Sequence, residues 1–435
     1  MKKKIRGYIT RREFIAKTSL AAGAVTILPR IVLGGKGHIG PNDRITLGFI
    51  GCGRQARDLV RYFSALPEVQ VVAGCEVDKM KLDWFINWVN AFYAEKREVS
   101  GYKSCDGYNL YEDLIARSDI DAVVIATPDH WHAIPAIAAM KAGKDVYCEK
   151  PLSHTIREGR AMVKAARRYK RVFQVGSMQR SWRDFRHACE LVYNGYIGRV
   201  KKVMVNVGDP SYPCDLPAEP TPPYLDWDRW LGPAPVRPYN PILSPPVEQT
   251  HYPRWRFYNE YGGGIIADWG THMFDIAQWA LGKDHSGPVT FIPPADKKAV
   301  RGLRMFYADG TELTHEDFGR GWAVRFIGSE GTLDVSRDFL ESVPDNIVSQ
   351  PIKPSDKRLY FSDNHYTNWT RAIRDRSIPV ADVETGHRSA TICQIANIAY
   401  HLNRKLEWDP VKEAFRKDPE ANKRRGKEYR EPYTL

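Results

Sequence analysis

The chain has 435 residues, 43% hydrophobic and 27% charged, the composition of a soluble globular protein with room for two domains, which excludes a disordered one. No apolar run reaches the length of a bilayer span. The net charge of +12 would suit a nucleic-acid binder, but seven of the excess charges fall in residues 1–34, and no basic stripe or aromatic RNA-binding motif accompanies the rest. No nucleic-acid partner is expected.

Residues 1–34 read as an address. Thr10-Arg11-Arg12-Glu13-Phe14-Ile15-Ala16-Lys17 precedes a weakly apolar stretch from Leu20 to Leu28, which resembles a twin-arginine export signal. Such signals carry folded proteins, so the expected partner is the twin-arginine export machinery and the expected location is periplasmic or otherwise exported. A linker over 35–42 follows, and no stable membrane span is expected in the mature form. The seven cysteines, at positions 52, 75, 105, 148, 189, 214 and 393, are odd in number and lack metal-ligand spacing. They are read as small buried hydrophobes.

From residue 43 to about 165 the pattern is that of a dinucleotide-binding α/β domain. The apolar run Arg44 to Ile50 leads into Gly51-Cys52-Gly53-Arg54-Gln55-Ala56 and a helix. In G-x-G-x-x-A the first glycine permits a tight turn, the second lets the backbone approach a diphosphate, and the small last residue allows close helix packing. A second strand, Val69 to Cys75, ends at Glu76, where a carboxylate accepts the adenosine ribose hydroxyls; it repels a 2′-phosphate, so NAD is expected over NADP. The strand Ile120 to Ala126 opens onto Thr127-Pro128-Asp129-His130-Trp131-His132 at the end of the sheet where ligands bind. His130 and His132 are read as packing and hydrogen-bonding residues in preference to a metal pair, because no third ligand stands nearby.

After a helix over 133–142, the strand Gly143 to Cys148 ends in Glu149-Lys150-Pro151. The order of G-x-G-x-x-A, A-T-P-D-H-W-H and C-E-K-P closely resembles the Gfo/Idh/MocA family of NAD(P)-dependent sugar and inositol dehydrogenases. The resemblance implies that Lys150 is catalytic. The expected cofactor contacts are Gly51, Gly53, Arg54, Gln55, Glu76, Thr127, Pro128, His130, Glu149 and Lys150.

A second domain, 166–435, follows. A helix over 156–169 and a strand over 172–175 lead to Gly176-Ser177-Met178-Gln179-Arg180, then a helix over 185–193 and a strand over 200–207. The segments 303–307 and 312–315 flank one turn, and 322–327 and 332–335 flank another, as antiparallel hairpins do. The expected fold is thus an α/β Rossmann domain plus an α+β domain with a mostly antiparallel open sheet. Between them, 209–254 is a Pro- and aromatic-rich arm that excludes regular helix or central strand, packed near the active site or a neighbouring subunit.

The arm leads to Tyr261-Gly262-Gly263-Gly264-Ile265-Ile266-Ala267-Asp268-Trp269-Gly270-Thr271-His272. If Asp268 opens a helix, Asp268 and His272 project from one face. The segment resembles the family's second signature, which implies that this Asp and His join Lys150 around the substrate. Asp275, Ile276, Trp279 and Leu281 are read as packing or capping residues. Gln179, Arg180, Trp255, Tyr258 and His365 are expected to line the substrate pocket, His387 to be structural, and the helix from His387 to Leu402 to bury one face. An Asp-x-x-x-His beside a lysine lacks a metal ligand set, so no metal is expected.

The expected chemistry is hydride transfer between nicotinamide and a secondary hydroxyl of a sugar, glycoside or polyol, with Lys150 and His272 sharing the proton and Asp268 balancing charge. Two alternatives stand beside it: redox-neutral glycoside cleavage through a transient keto-sugar, and a noncatalytic sugar-binding protein on the same fold. A homo-oligomer, dimer or tetramer, is expected from the exposed sheet face.

Overall fold

In the computed structural model, Gly40 and residues 43–435 are described; the twin-arginine segment lies outside them. Six parallel strands, β1 (Ile45–Ile50), β2 (Val69–Cys75), β3 (Asp106–Tyr108), β4 (Ala122–Ile125), β5 (Asp145–Cys148) and β6 (Phe173–Val175), lie in the order β3-β2-β1-β4-β5-β6. Except for the exposed edge strand β3, each is short, mainly apolar and buried, as strands covered on both faces must be. The sheet continues to β6, past the boundary expected at residue 165. Its order reverses between β1 and β4, and the crevice beyond their carboxyl ends is where such sheets take ligands.

Local chemistry sets the element ends. The helix Lys79–Arg97 starts at Asp78, whose carboxylate accepts the Met80 and Lys81 amides, and Ile156–Tyr169 starts at a reciprocal Thr155–Glu158 capping box. Gly51 adopts φ +87°, and a side chain there would press within 2.8 Å of the Ala126–Thr127 peptide. Only glycine lets the β1 loop touch the β4 loop.

Nine further strands form a second sheet: β7 (Lys202–Asn206), β8 (Thr290–Ile292), β9 (Leu303–Phe306), β10 (Glu312–His315), β11 (Ala323–Ile327), β12 (Thr332–Val335), β13 (Leu340–Val343), β14 (Leu406–Asp409) and β15 (Ala414–Phe415). Their order is β13-β12-β11-β7-β10-β9-β8-β14-β15, antiparallel except for the β7–β10 pair. Helices Arg183–Tyr193, Gly270–Ala280 and Val383–Leu402 contribute to the apolar core on this sheet.

Two segments join the cores. Val383–Leu402 is buried on nearly every side up to Ala399, not along the single face its pattern suggested, because Val383 and Ala390 pack with the first sheet and Ile392 to Ala399 with the second. The helix His365–Asp375 inserts Trp369 between Phe63 and Tyr147 of the first domain. The proline-rich arm departs from expectation too: one short helix, Trp227–Leu231, forms behind its Asp226 cap, and a private core gathers Trp230, Leu243, Trp255, Tyr258 and Tyr261. Among the described residues no helix is long and apolar enough to cross a membrane, and the cysteines are free, all buried but the partly buried Cys214.

Candidate active site

The crevice beyond β1 and β4 holds two adjoining hollows. The first is lined by Gly51, Gly53, Arg54, Gln55, Glu76, Thr127 and Pro128, as expected for a dinucleotide, and the second by Glu149, Lys150, Asp268, Trp269 and His272; both include Gln55, Thr127, Trp255 and Arg256. Two observations fit a dinucleotide in the first. A Cβ on Gly53 would meet nothing within 4 Å, so the space over the start of helix Arg54–Ala65 is open, and helix starts attract phosphate. The Thr127 hydroxyl beside it is buried without a hydrogen-bond partner among the described residues, an arrangement a ligand completes.

Glu76 stands at the end of β2, but its carboxylate already accepts the Cys52 amide at 2.9 Å and the Val77 and Asp78 amides at 2.8 and 3.2 Å. It therefore holds the glycine loop as well as facing the hollow. Burial raises its carboxyl, opposed by Lys81 and those amides.

The arm covers the first hollow of its own chain. Arg54 Nε donates to Thr250 O at 2.8 Å, Arg57 to Val247 O at 2.5 Å, Lys81 to Ser244 Oγ at 2.9 Å, and Tyr252 OH to Gln55 Oε1 at 3.1 Å. The chain end adds to this cover: Arg430 pairs with Asp228, and Tyr433 lies edge-on to Trp131.

In the second hollow Lys150 Nζ donates to Asp268 Oδ1 at 2.5 Å and to Asp268 O at 3.0 Å. Here one expectation is corrected. Asp268 does not open a helix; it ends the short helix Ile265–Asp268, and Gly270–Ala280 follows after Trp269. The opener is Gly264, at φ +73°, where a Cβ would stand 2.3 Å from the Ser211 amide. At the break the His272 amide donates to Trp269 O, which leaves the Asp268 carbonyl to Lys150 and, at 3.4 Å, the Thr271 hydroxyl.

Burial alone would raise the Asp268 carboxyl, yet Lys150 and Arg256, whose Nε lies 3.3 Å away, hold it at about 2. Burial, then Lys150 and Arg337, push the His272 imidazole well below the usual range, so it is neutral at physiological pH. Its buried Nδ1 has no partner among the described residues. Glu149 lies at the edge, accepting from Gln55 Nε2 at 3.0 Å, and burial raises its carboxyl. Within reach of one cleft are thus a proton-carrying amine, a carboxylate that fixes it, and a neutral imidazole.

Several expected contacts lie elsewhere. His130 lines neither hollow; its Nε2 lies 3.1 Å from Trp230 O, and Trp230 and Tyr261 pack on its ring. Arg180 is buried in a bidentate pair with Asp275, at 2.7 and 2.9 Å, and a second with Asp284. Its charge is spent inside the second domain. Gln179 is buried against Met273, His365 spans Ser181 Oγ and Val175 O, and Tyr258 belongs to the core of the arm. Of the five expected substrate contacts only Trp255 lines the cleft. Asp129 of the A-T-P-D-H-W-H motif, which carries no expected role, also lines it, as do Tyr252, Arg254, Arg256 and Arg337, which no motif marks. His132 ties the loops together, its ring nitrogens 2.8 Å from Pro151 O and 3.0 Å from Thr127 O.

Residues 45–177 match a sequence model described as an oxidoreductase family, NAD-binding Rossmann fold. Residues 210–435 match its counterpart, the oxidoreductase family, C-terminal alpha/beta domain. A Solibacter usitatus protein named glycosyl hydrolase family 109 protein is 34% identical over 153 residues, 34% of each chain. A Shewanella pealeana protein of the same name is 32% identical over 159 residues, 36% of this chain and 34% of its own. The chain spans about a third of the length of these relatives. Among solved structures, the WlbA dehydrogenase from Bordetella pertussis, in complex with NADH and UDP-GlcNAcA, has a TM-score of 0.58 at 18% identity, over 84% of this chain and 98% of its own. An aldose-aldose oxidoreductase from Caulobacter crescentus, complexed with glycerol, has 0.57 at 17%, over 84% and 99%. Both share the fold.

Proposed function

Because the chain belongs to the Gfo/Idh/MocA oxidoreductase family, we propose that it is an NAD-dependent dehydrogenase acting on a secondary hydroxyl of a sugar, glycoside or polyol. The observation that carries this reading is the Lys150–Asp268 pair in the hollow that adjoins the glycine loop, beside the neutral His272. NAD, when bound, supplies the hydride acceptor; Gly53, Thr127 and the start of helix Arg54–Ala65 would hold its diphosphate end. Glu76 favours NAD over NADP by repulsion of a 2′-phosphate.

Oxidation of a carbinol needs a base at its hydroxyl. Lys150 Nζ is placed to accept the hydroxyl proton, and Asp268 keeps the resulting ammonium in place. The unpartnered Nδ1 of His272 is placed to hydrogen-bond the hydroxyl or to share its one proton with Lys150. The arm excludes water from the cofactor side, where charge interactions are strengthened by the loss of solvent.

A second reading, redox-neutral cleavage of a glycoside through a transient ketone, draws support from the names of the glycosyl hydrolase family 109 relatives. It also draws support from the arm, because a cofactor strapped in place suits a cycle that regenerates it. Export by the twin-arginine route and assembly into a dimer or tetramer through the open sheet face complete the proposal. Native mass spectrometry of the purified protein, followed by product analysis on a glycoside panel, tests it. Bound NAD with a keto-sugar product supports the dehydrogenase, and bound NAD with a free sugar and aglycone supports cleavage. Unaltered glycosides throughout, with no reduction of added NAD, overturn both.

A further inference from the structure

The cleft that holds Lys150 opens onto a group of aromatic rings that the chemistry above does not use. Trp269, in the helix break, has its ring 4.7 Å from that of Trp322 and 5.9 Å from the His272 imidazole. Arg337, in the turn between β12 and β13, lies with its guanidinium 4.4 Å from the Trp269 ring centre and 5.3 Å from that of Trp182. Trp182 and Trp322 are 37% and 43% exposed. Two indoles, Trp269 and Trp182, therefore pack on one cation at the mouth of the cleft, and a third, Trp322, lies against Trp269.

The fold does not account for this group. Trp322 adopts φ +54°, a left-handed conformation that a bulky residue rarely takes, and the other left-handed residues include ordinary helix ends such as Lys170 and Asn403. Backbone strain of this kind gathers at ligand sites. The Arg337 guanidinium makes no hydrogen bond or ion pair among the described residues, and neither does that of Arg254 across the same cleft. Both line the Lys150 hollow and neither lines the glycine-loop hollow, so an anion bound by them would belong to the substrate and not to the cofactor diphosphate. A guanidinium packed on indoles keeps its edge N–H groups free, the arrangement that binds two oxygens of one carboxylate or sulfate with two parallel hydrogen bonds. The exposed indole faces offer the flat apolar surface on which the C–H face of a sugar ring packs.

We propose that this shelf is a subsite for a second sugar ring bearing an anionic group, packed on Trp322 and Trp182 with its carboxylate or sulfate on Arg337. The inference rests on the sugar-oxidoreductase reading and deepens it: the substrate class is an acidic glycoside or oligosaccharide. The ring that is oxidised sits at Lys150, and its acidic neighbour sits outside, on the tryptophans.

Titration calorimetry on the NAD-loaded protein tests the subsite with three disaccharides: a neutral one, its analogue with a terminal uronic acid, and its sulfated analogue. At least one acidic probe should bind about tenfold more tightly than the neutral one, the scale of one charge-assisted contact; whichever does so identifies the carboxylate or the sulfate as the group recognised. Arg337→Gln should erase that preference, so that the neutral and acidic probes bind alike. Trp322→Asn, chosen because asparagine tolerates left-handed backbone, should weaken all three probes equally. Equal binding of all three by the unaltered protein, or a preference that survives Arg337→Gln, overturns the subsite. Failure of every probe to bind also overturns it. NAD reduction by a simple polyol in the same preparation would then show that the oxidoreductase reading survives the loss.

Discussion

Lys150 donates to two atoms of one residue, the Oδ1 of Asp268 at 2.5 Å and its backbone carbonyl at 3.0 Å. The second contact exists because the helix breaks at Trp269, so the carbonyl that a continuous helix would have used is turned to the lysine. Lys150 follows β5 in the first domain and Asp268 stands in the second. The pair thereby fixes the two domains against each other at the point where the cleft is narrowed by Arg256 and Trp255.

Glu76 both faces the dinucleotide hollow and holds the Cys52 amide. Glu76→Ala should narrow the preference for NAD over NADP and also weaken NAD, because the glycine loop loses an acceptor. Equilibrium titration with both nucleotides checks this. Equal affinities in the unaltered protein contradict the role given to Glu76.

The arm is tied down by Arg57 and Lys81, among others. NAD should co-purify and leave slowly, and Arg57→Ala combined with Lys81→Ala should speed its release by about tenfold or more, since two charge-assisted anchors are lost. Release is followed by dialysis against an NAD-capturing enzyme. An unchanged rate would mean that the arm does not hold the cofactor.

Burial pushes His132 and His365 down to about 4. Both stay neutral in the folded chain at pH values where the unfolded chain binds protons, with an ordinary value of about 6.5. Their contribution is therefore complete above about pH 6.5, declines as the pH falls towards 4, and levels off below. Each contributes at most about 1.4 kcal/mol per pH unit in that window. Urea midpoints measured from pH 7 to 4.5 should fall, and less steeply in His365→Asn; an unchanged slope contradicts the assignment.

Arg180 offers a contrast between a structural and a binding residue. Arg180→Met leaves Asp275 buried without its partner and should cost about 3–5 kcal/mol of stability, while kcat/KM of the folded protein stays near normal because the residue does not line the cleft. A stable variant with lost substrate affinity would restore the expectation drawn from the sequence.

These cases show where sequence reading works. Gly51 and Gly53 stand in a short glycine pattern whose spacing alone marks the loop, although the contact that requires Gly51, to the Ala126–Thr127 peptide, is remote. Lys150, Asp268 and His272 lie in recognisable motifs and converge on one cleft. His130, Arg180 and His365 also stand beside motifs, but what occupies them is remote: Trp230, the Asp275–Asp284 pair and Val175. A polar residue near a motif is free for substrate only if no distant partner claims it, and that depends on tertiary packing. Arg337 and Trp322 illustrate the converse, since a turn and a loop of the second sheet carry no pattern that marks a binding site.

The most direct test of the dehydrogenase reading is turnover of Lys150→Met on a substrate whose oxidation by the unaltered protein has been demonstrated. Methionine keeps the aliphatic stem and removes the amine. Turnover should fall by about 10²-fold or more, the scale of a lost acid or base, with NAD affinity little changed. Turnover close to that of the unaltered protein would contradict the assignment of Lys150 as the proton acceptor.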